Sequence, residues 1–369
     1  MEEINESLYL KVLNFDDTKR KEWMANRNAY AVLFELTAKC NFNCIHCYLQ
    51  NCHKATDLST SRIKKILDIL YDKGILFLTL TGGEIFTRKD FLEIYIYAKK
   101  KGFLVELFTN GYLLNDDIIS VLAEYPPILV SISIYGSNNE TYKKITGISG
   151  AYDKVIENCI KLKAAGIRTA LKSPILTYTV DEMENMKKTA EEIGLKIVYS
   201  FEIHGTTDGS DIPINYQAGL SEALRYEFND YFSKGKKTFI EDINISTDAL
   251  QRDKYVYTCN VAMNSFVIDY TGNMLPCMKL RHKGKSIFEY DYDTIWEKFA
   301  IYKKQIASCN YVCKKCDSIY FCDICPAEMD YRYGDAEHRE CRDCKAAKIR
   351  KAFYCEEIDY DEAIRLADL

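Results

Sequence analysis

The sequence predicts an α/β protein, an open partial (β/α)6 TIM-like barrel followed by a small cysteine-rich domain. Three observations predict it. Between about residues 30 and 205, six apolar β-rich runs alternate with amphipathic helical stretches. Glycines fall just after those helical stretches, where a chain leaves a helix. The cysteines crowd into two places, one near the start and one from Cys259 onward.

The predicted strands are Ala31–Thr37, Ile75–Thr81, Leu104–Thr109, Leu129–Ile134, Ala170–Leu176 and Lys196–Phe201. Ser61–Asp72 carries Ile63, Ile66, Leu67 and Leu70 at helical spacing, and Asp153–Ala165 and Asp181–Ile193 read the same way. Gly74, Gly102, Gly166 and Gly194 are the expected helix stops. Strand–helix alternation implies parallel strands with right-handed crossovers. Six units are too few to close a barrel, and the carboxyl ends of the strands are its expected functional face. Gly205–Asn215 reads as a loop and Gly219–Phe232 as a helix. The expected division is a 1–30 extension, a 31–235 barrel, a 236–258 linker and a 259–369 cysteine-rich domain with a C-terminal helix.

The chain has 369 residues and a net charge of −5, which argues against a nucleic-acid partner. No apolar run approaches the roughly 18 residues of a membrane span, and the acidic N-terminus lacks a signal region. A cytoplasmic protein is expected. Fifteen cysteines in such a chain point to metal or cluster ligation before disulfides.

Cys40, Cys44 and Cys47 are spaced C-x3-C-x2-C, directly after the first strand. Four thiolates saturate a four-iron cluster, so three leave one iron open. A zinc site would need a fourth ligand, which Cys52, His46 or His53 could supply. At the end of the second strand stands Thr81-Gly82-Gly83-Glu84. Two glycines let the backbone approach a ligand closely, and a carboxylate can receive an ammonium. Asn110 ends the third strand, Ser133 the fourth, and Lys172 lies on the fifth. A turn residue, a strand serine and a solvated lysine are the plain alternatives for these three.

The cysteine loop, with Tyr48 after it and Gly-Gly-Glu on the next strand, resembles that of the radical S-adenosylmethionine enzymes. The resemblance implies a [4Fe-4S] cluster whose free iron chelates the methionyl group of S-adenosylmethionine. It further implies reductive cleavage to a 5′-deoxyadenosyl radical. Carried onto this chain, it assigns the cofactor's amino group to Gly82, Gly83 and Glu84, and its ribose to Ser133. Tyr48, Asn110 and Lys172 are the other expected contacts, Lys172 at the cofactor carboxylate.

The tail holds Cys259, Gly272 and Cys277, then Cys309, Cys313, Cys316, Cys322 and Cys325, then Cys341 and Cys344. This resembles the SPASM extension, which carries two auxiliary iron–sulfur clusters. The match departs at Cys325, which follows Cys322 by two intervening residues instead of three. The resemblance puts Cys259, Cys277 and Cys325 on the first auxiliary cluster, whose fourth position falls to Cys309, another cysteine or an open site. It puts Cys313, Cys316, Cys322 and either Cys341 or Cys344 on the second. Structural zinc knots are the alternative, Cys313, Cys316, Cys322 and Cys325 suiting one zinc.

Enzymes of this architecture mostly modify ribosomally made peptides. The expected activity is therefore a peptide maturase installing a thioether or carbon–carbon crosslink. A flavodoxin- or ferredoxin-like electron donor is the expected partner. About 30 residues precede the barrel, too few for a winged-helix leader-binding domain, so a separate leader-binding protein is a further candidate partner. Strand addition to a sheet edge is another route for the peptide. A sulfatase-maturing enzyme is one competitor, with Asp269, Asp317 or Asp323 as base. A peptide epimerase is another, with Cys52 as hydrogen donor. A non-catalytic cluster or zinc module stands outside the class.

Overall fold

Strand β1 (Ala31–Thr37) shows how the chain divides its faces. Val32, Phe34 and Leu36 share one face and are buried, while Leu33, Glu35 and Thr37 share the other. The computed structural model describes residues 22–23, 25–50, 55–234, 254–355 and 357–369. Most of the expected 1–30 extension and 236–258 linker, together with Cys52 and His53, lies outside them.

Five further parallel strands follow β1: β2 (Phe77–Gly82), β3 (Leu104–Thr109), β4 (Leu129–Ser133), β5 (Thr169–Pro174) and β6 (Lys196–Ser200). The connecting helices begin with α1 (Thr60–Asp72), α2 (Phe91–Lys100) and α3 (Asp116–Glu124). After β4 come α4 (Asn139–Thr146) and α5 (Ala151–Ala164), and α6 (Met183–Ile193) joins β5 to β6. Helix α1 buries Ile63, Ile66, Leu67 and Leu70, the stripe read from the sequence, and Ser59 caps its start by accepting from the Arg62 N–H at 3.3 Å. Gly74 and Gly194 leave their helices at φ of 76° and 66°, a region that glycine enters without steric penalty.

The sheet is larger than expected. Its strand order is β6-β5-β4-β3-β2-β1-β7-β8-β9. Strand β7 (Ser265–Ile268) runs parallel to β1, followed by antiparallel β8 (Asn273–Leu275) and β9 (Lys285–Ser286). These three are too short to show a period, and they lie in a stretch whose cysteines dominate its composition.

Two compact units result, Met1–Tyr216 with Ala262–Lys298, and Gln217–Val261 with Phe299–Leu369. The expected boundary at 259 therefore gives way, because β7 extends the barrel sheet. The expected barrel limit at 235 also shifts, because α7 (Leu220–Lys234) belongs to the second unit. That unit has an apolar core that its cysteine-rich sequence did not promise. Leu224 and Phe228 of α7 pack with Ile349 and Phe353 of α8 (Cys341–Tyr354) and Ile364 of α9 (Tyr360–Asp368). Phe228 stacks on Phe353 with ring centroids 3.9 Å apart.

Truncating Phe228 to alanine should cost about 3–5 kcal/mol. A lowered unfolding midpoint of the second unit in hydrogen exchange checks this; an unchanged midpoint would contradict the packing.

Candidate active site

The site begins where β1 and β2 end together. Thr37 lies opposite Gly82, with the register shifted after Glu35. The Gly83 N–H donates to the Thr37 carbonyl at 2.8 Å, and the Glu84 N–H to the Lys39 carbonyl at 2.8 Å. A Cβ on Gly82 would sit 2.2 Å from the Thr37 carbonyl oxygen, and one on Gly83 would sit 2.2 Å from that of Lys39. The glycines thus admit the backbone that leads into the cysteine loop. The sequence reading had them admit a ligand; the close neighbour is the chain itself.

Glu84 is buried, and both carboxylate oxygens are engaged. Oε1 accepts from the Phe86 N–H at 3.1 Å and Oε2 from the Asn110 N–H at 2.7 Å. Thr109 Oγ1 lies 2.8 and 2.9 Å from the two oxygens. Burial pushes the acid's pKa up to about 7, against the opposing pull of these donors. Glu84 is not among the residues that border the cavity described next; it stands behind that wall and ties the end of β2 to the end of β3.

A cavity of about 320 Å³ opens at the carboxyl ends of these strands. Cys40, Cys44 and Cys47 border it on one side, with Thr81, Gly82 and Gly83 also on its wall. Asn110 and Ser133, both expected site residues, border it too. Asn110 Nδ2 donates to Asn41 Oδ1 at 2.8 Å and lies 3.8 Å from Cys40 Sγ. Burial raises the Cys40 thiol to about 12 and the Cys44 thiol well above its usual range. A cationic group would have to offset that burial before these sulfurs could serve as thiolates.

Tyr48 borders the cavity, but its phenol is committed elsewhere. It donates to Glu35 Oε1 at 2.9 Å, and Arg281 Cζ lies 5.5 Å from its ring centroid. Arg281 Nη1 reaches Glu35 Oε2 at 3.0 Å, forming a buried pair that sequence spacing could not reveal. Lys172, expected at the cofactor carboxylate, instead pairs with Glu106 Oε1 at 3.7 Å and is absent from the cavity border.

The sequence reading weighed His46 only as a zinc ligand and gave Tyr135 no role. Both border the cavity, with ring centroids 5.2 Å apart. His46 Nδ1 is buried without a hydrogen-bond partner, and burial pushes its pKa down to about 4. The signal was its place between Cys44 and Cys47, which carries it onto the cavity with them.

Among the described residues, no three His, Cys, Asp or Glu side chains gather tightly enough to hold one metal ion. The three thiols border a shared cavity instead, the arrangement that a multi-iron cluster with separate ligated irons requires. The residues present thus fit a cluster that would be held by three thiolates.

In the second unit, Cys344 lies close enough to Cys313 and Cys316 for their charges to raise its pKa. Cys313 and Cys322 both act on Tyr311 in the same way. Cys313 and Cys322 are buried, Cys316, Cys325 and Cys344 half-buried, and Cys259, Cys309 and Cys341 exposed. Cys277, on the first unit, is half-buried.

Residues 34–193 match the Radical SAM superfamily. The mycofactocin maturase MftC of Mycolicibacterium smegmatis is 30% identical over 280 residues, 73% of this chain and 71% of that protein. The subtilosin biosynthesis protein AlbA of Bacillus subtilis is 27% identical over 274 residues, 73% of this chain but only 60% of AlbA. An AdoMet-dependent heme synthase of Methanosarcina barkeri is 26% identical over 294 residues, 74% of this chain and 83% of the synthase. Streptococcus suis SuiB, solved with its precursor peptide SuiA, shares the fold with a TM-score of 0.68 at 16% identity, covering 93% of this chain and 82% of SuiB. The chain belongs to the radical SAM superfamily of enzymes.

Replacing Gly83 by alanine should displace the cysteine loop, because its Cβ meets backbone and not a flexible side chain. Anaerobic reconstitution of the variant should retain about four fewer irons than the wild type, with unchanged circular dichroism. Full iron retention would contradict the close approach.

Proposed function

We propose that this protein is a cytoplasmic radical SAM maturase that installs a thioether or carbon–carbon crosslink in a ribosomally made peptide. The observation that carries the reading is the cavity walled on one side by Cys40, Cys44 and Cys47 and elsewhere by Gly82, Gly83 and Ser133. The names of AlbA and MftC, and the precursor peptide bound to SuiB, support a peptide substrate. A flavodoxin- or ferredoxin-like donor and a leader-binding protein complete this reading.

When bound, the cluster and S-adenosylmethionine supply a primary carbon radical that takes a hydrogen atom from substrate carbon. The chain's part is to place and shield. Cys40, Cys44 and Cys47 would hold the cluster by three of its irons. Gly82 and Gly83 form the wall for the methionyl end, with the charge of Glu84 behind it to favour an ammonium. Ser133 and Asn110 offer hydrogen bonds to the cofactor's polar groups, while the rings of His46, Tyr135 and Phe108 border the same space and exclude water.

The tail cysteines hold two auxiliary clusters in this reading, with Cys259, Cys277 and Cys325 on the first. On the second, Cys344 joins Cys313, Cys316 and Cys322: it lies within electrostatic reach of Cys313 and Cys316, while Cys341 is exposed. Formylglycine formation is disfavoured by the candidate bases. Asp269 Oδ1 accepts from the Thr271 N–H, the Asn273 N–H and Thr271 Oγ1 within its own turn. Asp317 pairs with Lys351 at 2.6 Å and Asp323 with Arg350 at 2.5 Å.

Three measurements test this. Reconstituted enzyme should bind about 12 irons and cleave S-adenosylmethionine under reduction, and Cys44→Ala should abolish cleavage; zinc without cleavage would refute the reading. Cys344→Ala should lose about four irons and Cys341→Ala none; the reverse pattern would reassign the ligand. A precursor peptide encoded beside this chain should lose two hydrogen atoms per crosslink in mass spectrometry. Unchanged mass with uptake of solvent deuterium would indicate epimerisation, and modification of a porphyrin in place of the peptide would overturn the substrate class.

A further inference from the structure

Beyond the cavity, the inner face of the barrel carries a charged group that the proposed chemistry leaves unused. Lys172 of β5 lies opposite Ser133 of β4 and Val198 of β6, so the three share one face of the sheet. Ser133 borders the cavity, and Val198 at the far end is 45% exposed. Lys172 therefore stands one strand beyond the cavity wall, toward the open edge of the barrel.

Its setting is built. The Lys172 ammonium lies 3.8 Å from the ring centroid of Phe108, which itself borders the cavity. Behind it stands Glu106, 3.7 Å away. Glu106 also accepts from Ser131 Oγ at 2.8 Å. The Glu106 side chain is 3% exposed and that of Lys172 44%. Carboxylate and ammonium are thus arranged in depth, the negative end sunk in the wall and the positive end toward the interior. An ammonium has three donors. Glu106 and the Phe108 ring engage the side turned to the wall, which leaves donor capacity toward the open face. Lys196, two residues before Val198 on β6, shares that face by strand alternation.

We propose that Lys172 is a docking point for a carboxylate of the peptide substrate, placed beside the radical site. This rests on the peptide-maturase reading above. Glu106, Ser131 and Phe108 fix the ammonium's position, so an acidic side chain or chain end of the peptide meets a preformed partner. A peptide anchored there would run along the exposed inner face of β5 and β6 and enter the cavity past Ser133. The cofactor's own carboxylate has the same chemistry, so the test must separate the two sources.

The test uses the reconstituted holoenzyme loaded with S-adenosylmethionine, in equilibrium dialysis against two random hexapeptide libraries. The libraries differ only in one fixed position, glutamate or glutamine. The wild type should retain the glutamate library about fivefold better, the scale of a partly exposed ion pair. Lys172→Met should erase that preference while keeping its affinity for S-adenosylmethionine within about twofold, and Lys172→Arg should restore it. Equal retention of both libraries by the wild type overturns the proposal alone. Loss of S-adenosylmethionine affinity in Lys172→Met, with the peptide preference intact, assigns the lysine to the cofactor and also overturns it. If the wild type cleaves S-adenosylmethionine but retains neither library, the peptide reading fails and the docking point with it.

Discussion

The contact between the backbone of Gly82–Gly83 and that of Thr37–Lys39 is the constraint on which the site depends. Two strand ends meet so closely that no side chain fits between them. That closeness fixes where the cysteine loop departs from β1. It also turns the end of β2 so that the Glu84 carboxylate meets the end of β3. There the carboxylate accepts from the backbone of Asn110 and lies against Thr109. The ends of three adjacent strands are thereby joined by short polar contacts. The cavity takes its shape from that junction, with thiols on one wall and glycines on another.

Burial explains the electrostatics around it. Glu84 is raised toward neutrality, and the thiols of Cys40 and Cys44 are raised far from ionisation. Positive charge brought near would draw these groups back toward their ionised forms. The iron of a cluster and the cationic sulfonium and ammonium of S-adenosylmethionine would supply such charge. Arg281, a buried cation, is paired with Glu35 and lies over the Tyr48 ring. Lys172 is held one strand away by Glu106. Both cations are thus engaged away from the cavity border.

Much of the barrel was legible because its strands are long and its helices amphipathic. β1 and β3 begin and end where the apolar runs do, and α1 buries the four residues whose spacing marked it. Cys40, Cys44 and Cys47 were legible from spacing alone. What was not legible has a common cause, since it depends on partners distant in sequence. Strand β7 is four residues long and becomes a strand by pairing with β1. Tyr48 looked like a cofactor contact, yet its phenol finds Glu35, and Glu35 finds an arginine 246 residues away. Lys172 was read beside the cofactor because its strand was known and its neighbour Glu106 was not. His46 was weighed only as a zinc ligand, though its position between two cysteines carries it onto the cavity wall with them.

The central claim is that three thiols hold a cluster with one iron open to the methionyl group at the glycine wall. Electron–nuclear double resonance of the reduced enzyme tests it most directly, with S-adenosylmethionine labelled with nitrogen-15 at its amino group. The account predicts a hyperfine coupling from the label to the cluster, lost in Cys44→Ala. A fully formed cluster that shows no coupling to the labelled amino group would contradict it.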